Sequence, residues 1–315
     1  MRTARIRYQG AGAFYHCMNR CAGYATDRPW EPKEQEYFVK LLHRLSKFYT
    51  VEVISYCVMS NHYHVVLRDP GDLPTVEETV RRYNSYYKGK RQIDGTVGDI
   101  EQIRARLSDF SRLLKDLQQL FTGWYNRSRP KPRRGRLWGD RFKSVLLDGE
   151  SALWSCIKYV ELNPVRAGIT DDPADYRFSS WGAWSGSGKH PFGREFFNHV
   201  KRSLGNRAKG WAIAEVAAEL RADMARTIEA ERNDATSESV KTAYAEAKRR
   251  PSLQLVATRR MRYWTDGAVI GSKLFVQKVA IDLYGEEKAK RRRYGRGELP
   301  EGGALFSLRC LRQQT

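Results

Sequence analysis

Residues 51–69, "VEVISYCVMSNHYHVVLRD", decide the fold. Two runs rich in β-branched and aromatic residues flank Ser60-Asn61, a turn-forming pair, so the stretch is predicted to be a β-hairpin. Side chains on a strand alternate between faces, which puts His62 and His64 on one side and Tyr63, Val65 and Leu67 on the other. The chain has six histidines, and two imidazoles side by side are half of a metal site. Histidines also occupy sheets as ordinary hydrogen-bonded residues, so the pair alone does not establish a ligand set.

Working outward, "GAFYHCMNRC" (12–21) reads as a first strand. "PKEQEYFVKLLHRLSKFY" (32–49) opens on proline and repeats Phe38, Leu41, Leu42 and Leu45 at helical spacing, predicting an amphipathic helix. A helical region follows from Thr75 to about Asn126, interrupted by the glycine-bearing "KGKRQIDGTVGD" (88–99). A strand over 135–148, "GRLWGDRFKSVLLD", and a helix over about 150–163 complete the pattern. This order predicts an α+β fold, a ferredoxin-like βαββαβ sheet with a further helix at its end. Helices would cover one sheet face and leave the histidine face for a ligand. The expected domain is 1–184, followed by a linker at 185–194, "SGSGKHPFGR". Residues 195–315 form a basic, largely helical accessory region with no fold assigned.

Fifty-six Lys and Arg against thirty-six Asp and Glu give a formal charge of +20. An excess of that size attracts a polyanion, nucleic acid before all others, because neutralised phosphates release condensed counterions. No apolar stretch approaches the roughly 18 residues of a membrane span, and "MRTARIRYQG" lacks the apolar core of a signal peptide. A cytoplasmic, nucleoid-associated protein that does not engage a membrane is expected. The five cysteines are scattered and contain no C-x-x-C pair, unlike a disulfide scaffold or a structural zinc site.

Two further stretches carry chemistry. In "LWSCIKYVELNPVRAG" (153–168), Tyr159 and Asn163 are four apart on a predicted helix and share a face, with Pro164 placing Asn163 at the helix end. A core tyrosine and a capping asparagine would look the same. In "RPKPRRGRLWGDRFK" (129–143), Arg133, Arg134, Arg136, Arg141 and Lys143 interleave with Trp138 and Phe142. Cations for a backbone and rings for bases are what single-strand binding uses; a solvated loop with core aromatics is the plainer reading. Arg166, just after the helix, is placed to touch phosphate.

Taken together, "HYH" after an asparagine in a hairpin, the "WGDRFKS" strand and "KYVELNPVRAG" resemble the single-tyrosine HUH transposases, above all their REP-associated tyrosine transposase branch. The resemblance covers about residues 10–184. It departs at Ser60, where members commonly carry proline, and at about 88–119, which is longer than a compact family domain needs. It implies a metal-dependent single-strand DNA endonuclease and strand transferase. Tyr159 would be the nucleophile forming a 5′-phosphotyrosine, and His62, His64 and Asn163 would hold Mg²⁺ or Mn²⁺. The partner would be single-stranded or hairpin DNA of REP type, and a monomer is expected over a dimer.

Two other readings differ in class. A non-catalytic nucleic-acid-binding protein on the same kind of sheet would want an RNP-like aromatic strand, which is absent from the sequence. A zinc hydrolase using H-x-H would want a carboxylate or a third histidine as ligand, with Asp69 and Glu161 as candidates.

Overall fold

A computed structural model describes residues 6–8, 12–24, 27–132, 134–149, 151–193, 195–236, 264–298 and 304–309. By their contacts they fall into two compact units. One is made of Arg7–Ser144 with Tyr159–Phe196, the other of Val145–Lys158 with the residues from Phe197 onward. The last crossing lies just beyond the linker expected at 185–194, and the stretch 145–158 joins residues of the expected accessory region.

The first unit is built on three antiparallel strands, β1 (Ala13–Arg20), β2 (Glu52–Val58) and β3 (His62–Asp69), in the order β2-β3-β1. The register sets Met18 and Cys57 opposite His64, on either side of it. Helix α1 (Pro32–Phe48) starts where the Glu34 carboxylate accepts the Glu31 N–H at 2.9 Å, and it buries Phe38, Leu41, Leu42, Leu45 and Phe48. It packs with α2 (Val76–Tyr87) and α4 (Phe110–Arg127); a short α3 (Ile100–Leu107) lies between those two in sequence. The helical 75–126 region and its break are therefore present as expected.

The two faces of β3 have different covers. Phe38 of α1 meets the Tyr63 ring at 4.9 Å, and Gln118 of α4 donates to the Tyr63 hydroxyl at 2.8 Å, so α1 and α4 lie on the Tyr63 face. On the histidine face, Ser55 of β2 donates to Glu161 at 2.7 Å. That glutamate ends α5 (Ser151–Glu161), which is followed by the short α6 (Asn163–Arg166). Pro164 occupies the first turn of α6, where its missing N–H costs nothing, so the chain stays helical beyond the expected end at Asn163. The outer edge of β2 is closed as well. Val58 N–H donates to Phe178, and Tyr56 N–H to the hydroxyl of Ser180, the first residue of α7 (Ser180–Ser187). Gly182 permits this closure: a Cβ there would lie 2.0 Å from the Tyr176 carbonyl oxygen.

The strand expected over 135–148 is shorter, β4 (Lys143–Leu147). Residues 135–142 instead run as bends and irregular chain, with one bridge between Cys21 and Trp138.

The second unit carries three short strands beside its helices. Leu146 and Leu147 of β4 pair in parallel with Val269 and Ile270 of β5 (Val269–Gly271). β5 then pairs antiparallel with β7 (Ala304–Ser307), which pairs with β6 (Gly295–Glu298). These three strands are four residues long or shorter, too brief to show an alternating pattern. The helices are α8 (Glu195–Ser203), α9 (Ile213–Thr236), α10 (Lys273–Tyr284) and α11 (Glu286–Lys290). Asp223 of α9 accepts from the Trp154 indole at 2.5 Å and from the Lys158 ammonium at 2.6 Å, both buried, so α9 holds the early turns of α5. The chain is thus a mixed α and β protein, as its sequence indicated. Among the described residues no helix is long and apolar enough to cross a membrane.

Candidate active site

The antiparallel pairing of β1 with β3 adds a third imidazole to the two expected. His16 lies opposite Val66 and Met18 opposite His64, so His16 and His64 share a face on a diagonal. The Nε2 of His16 sits 2.9 Å from the Nδ1 of His64. The Nδ1 of His62 sits 2.6 Å from the side-chain oxygen of Asn61. Asn61 is itself fixed: its amide nitrogen donates to the Asp27 carbonyl at 2.7 Å, and its own carbonyl accepts the Cys21 N–H at 2.8 Å. Because that side-chain oxygen can only accept, the His62 proton must sit on Nδ1, which leaves Nε2 as a lone pair.

The Nε2 atoms of His62 and His64 are both buried and have no hydrogen-bond partner among the described residues. An unmade bond of that kind costs about 1–3 kcal/mol. Burial, with Arg20 and Arg28 nearby, pushes the His62 pKa down to about 3. Burial, followed by His16 and His62, holds that of His64 well below its ordinary value. Both rings are therefore neutral at pH 7, each oriented through Nδ1 with Nε2 unengaged. Metal-ligating histidines show this same division of labour between their two nitrogens.

Tyr159 is brought directly onto this group. Its ring stands edge-on to His64 at 5.5 Å and to His16 at 5.7 Å, while His62 meets His64 at 5.1 Å. Asn163 is buried at the end of the same helical run, and its amide nitrogen donates to the carbonyls of Tyr159 (2.8 Å) and Val160 (3.3 Å). With the nitrogen committed to the backbone, the side-chain oxygen is the atom of Asn163 suited to a cation. Arg166 donates to the Tyr159 carbonyl at 3.1 Å and lays its guanidinium 5.4 Å from the centre of the Tyr159 ring.

The carboxylates considered for a hydrolytic zinc site go elsewhere. Asp69 ends β3 and accepts the Gly71 N–H. Glu161 is fully buried, accepts from Ser55 at 2.7 Å and from the Trp181 N–H at 3.0 Å, and is pushed up to about 7 by burial. It ties the end of α5 to β2 and α7. Among the described residues no group of three His, Cys, Asp or Glu is placed to hold a metal ion.

Of the basic run, Arg134, Arg136, Arg141 and Lys143 are exposed, and Arg133 lies outside the described residues. The interleaved rings are not offered to bases. Phe142 is buried, and the Trp138 indole donates to Thr122 at 2.9 Å while its ring packs on Trp30 and Tyr63. Here the plainer reading of the aromatics holds. Sequence reasoning missed His16, although it sits in the first expected strand; only the register of β1 on β3 reveals that it faces His64.

No protein-family model matches the chain, and no curated protein does. Among solved structures, the chain is similar to a REP-associated tyrosine transposase bound to a REP hairpin, at a TM-score of 0.40 and 13% identity, over 59% of this chain and 87% of that one.

Proposed function

We propose that the chain is a metal-dependent single-strand DNA endonuclease and strand transferase, with Tyr159 as nucleophile and His62, His64 and Asn163 as the metal-holding set. The observation that carries this reading is the pair of buried, neutral imidazoles with unengaged Nε2 atoms, packed against the ring of Tyr159. What sets these two nitrogens apart is that they lie on neighbouring rings, 5.1 Å between centres, beside a tyrosine.

The tyrosine oxygen would attack the phosphorus of a phosphodiester and expel the 3′ oxygen. This gives a 5′-phosphotyrosine and, once a proton is taken up, a 3′-hydroxyl. The new ester conserves the energy of the bond it replaces, so a second 3′-hydroxyl can reverse the step and rejoin strands. A divalent ion held by His62, His64 and Asn163 would supply charge stabilisation to the phosphoryl oxygens; imidazole ligands suit Mn²⁺ more than Mg²⁺, and either would serve. Arg166, exposed and stacked on the nucleophile's ring, is the group that would meet the scissile phosphate. Arg134, Arg136, Arg141 and Lys143 would follow the flanking backbone.

Tyr159 is only 4% exposed and His64 1%. A phosphate in an intact duplex cannot approach so enclosed a hydroxyl, which favours an unpaired strand. Hairpin-associated, REP-like DNA is the proposed substrate, and a complete ferredoxin-like sheet is proposed from the β2-β3-β1 order. Incubating the protein with end-labelled hairpin DNA and Mn²⁺ or Mg²⁺ should give a covalent adduct on a denaturing gel. No adduct with any single-stranded or hairpin probe would end this reading.

A further inference from the structure

The end of α2 carries a feature that the proposed chemistry does not use. α2 closes on Lys88, a lysine in the left-handed region at φ 47°, ψ 49°. Gly89 follows at φ 78°. A side chain in that conformation costs about 1 kcal/mol or more, and glycine or asparagine is the usual occupant. The turn is then clamped from inside. The Asn84 amide donates to the Ile93 carbonyl, and its oxygen accepts the Ile93 N–H, both at 2.9 Å. Arg91 is laid over the Tyr87 ring at 5.5 Å. The result is a fixed loop presenting Lys88, Lys90 and Arg91, all exposed.

Beside this loop lies a half-buried aromatic cluster. Tyr86 stacks on Phe48 at 4.4 Å and carries the exposed Arg44 guanidinium at 5.6 Å, and Tyr83 meets Tyr87 at 4.6 Å. Of the neighbouring carboxylates, Glu78 pairs with Arg81 and Arg82 and Asp116 with Arg106, while Asp94 accepts from Thr96 and keeps its charge, one anion against the four cations. The surface therefore joins four cations with aromatic edges. It belongs to the helices on the Tyr63 side of the sheet, not on the histidine side.

We propose that Lys88, Lys90 and Arg91, with Arg44, form a second nucleic-acid site that grips the phosphodiester backbone away from Tyr159. Charge complementarity argues for the ligand, and the clamped, strained turn argues that the cations are placed for use. The plainer explanation of Lys88, attraction to the negative end of the α2 dipole, makes the opposite prediction for stability. The proposal rests on the reading of the chain as a DNA-acting protein, and its test separates the two.

The full-length protein and the variant Lys88→Gly/Lys90→Ala/Arg91→Ala would be titrated by fluorescence anisotropy between about 50 and 200 mM salt. The probes are a single strand of about eight nucleotides, a hairpin with long single-stranded flanks, and a hairpin with an extended duplex stem. On whichever long probe the site grips, the variant should bind at least tenfold more weakly, with the slope of log affinity against log salt reduced by about two to three. The short probe should be little affected. Which long probe responds tells whether the backbone held is single-stranded or duplex. The single variant Lys88→Gly should melt no lower than the parent while binding more weakly. Unchanged affinity and slope on both long probes, with the parent binding normally, would overturn the second site and leave the proposed function standing. A parent that shows no salt-dependent DNA binding would overturn both.

Discussion

His16 and His64 reach each other from neighbouring strands, Nε2 to Nδ1 at 2.9 Å, and this contact commits one nitrogen of each ring. It turns His64 so that Nε2 is the atom left for a ligand. Replacing His16 with Ala should therefore weaken Mn²⁺ binding about 10–100-fold, the usual cost of losing an outer partner of a ligating histidine. His16→Gln, which keeps an acceptor near the same place, should recover part of it. Isothermal titration with Mn²⁺ alone decides the point, and equal affinity in parent and His16→Ala would remove His16 from the site.

Metal should also be visible in stability without any DNA. At a hundredfold excess over its dissociation constant an ion stabilises the native chain by about 2.7 kcal/mol. The parent's melting temperature should rise with Mn²⁺, and that of His62→Ala/His64→Ala should not. An equal rise in both would place the ion elsewhere.

Tyr159→Phe removes one hydroxyl and keeps the ring that packs on His16, His64 and Arg166. Folding and hairpin affinity should stay within a factor of about two, a difference under 0.5 kcal/mol, while covalent adduct and cleavage disappear. Persistent adduct in this variant would show that another residue is the nucleophile.

Acid should destabilise the protein through its buried neutral histidines. His62 titrates near 3 and His190 near 4 in the native state, both depressed by burial, and His64 shifts in the same direction. Such depressed groups leave stability intact above about 6.5, and it is lost as pH falls and the unfolded chain takes up the protons. At pH 5 the loss is about 2 kcal/mol for each of His62 and His190. Glu161 acts the other way: raised to about 7, it favours the native state as pH falls from 7 toward 4.5, by about 2–3 kcal/mol. The histidines outweigh it, so denaturation midpoints should drop between pH 7 and 5, and drop further in Glu161→Gln. A midpoint that rises over this range would show that the histidines are not held neutral.

Removing everything after Ser187 should not yield a folded catalytic fragment. The cut strips β4 of its parallel partner and removes α9, whose Asp223 holds the buried Trp154 and Lys158. A soluble, cooperatively melting 1–187 fragment would contradict this.

The hairpin, the amphipathic α1 and the break between α2 and α3 were readable because periodicity and turn residues are local signals. His62, His64, Tyr159 and Asn163 were readable as spaced pairs, and the fold brings the tyrosine onto the histidines. What stayed hidden depends on register and on distant chain. His16 joins the site through strand pairing, and Glu161, taken from sequence as a candidate ligand, is drawn to Ser55 and Trp181 by packing. Trp138 and Phe142 looked like a base platform because a basic run surrounded them; their rings lie in the aromatic core instead. The strands β5 to β7 are too short to announce themselves.

The sharing of α5 between two units has a consequence for how the protein is made. β5 begins at Val269, about a hundred residues after α5 ends at Glu161. At roughly 5–20 residues per second on the ribosome, β4 waits roughly 5–20 s for β5, and the first turns of α5 wait roughly 3–12 s for Asp223. A nascent chain thus carries Trp154 and Lys158 before the residue that pairs with them, Asp223, has been made. Translation that stops early leaves β4 and the first turns of α5 without the later chain they pack on.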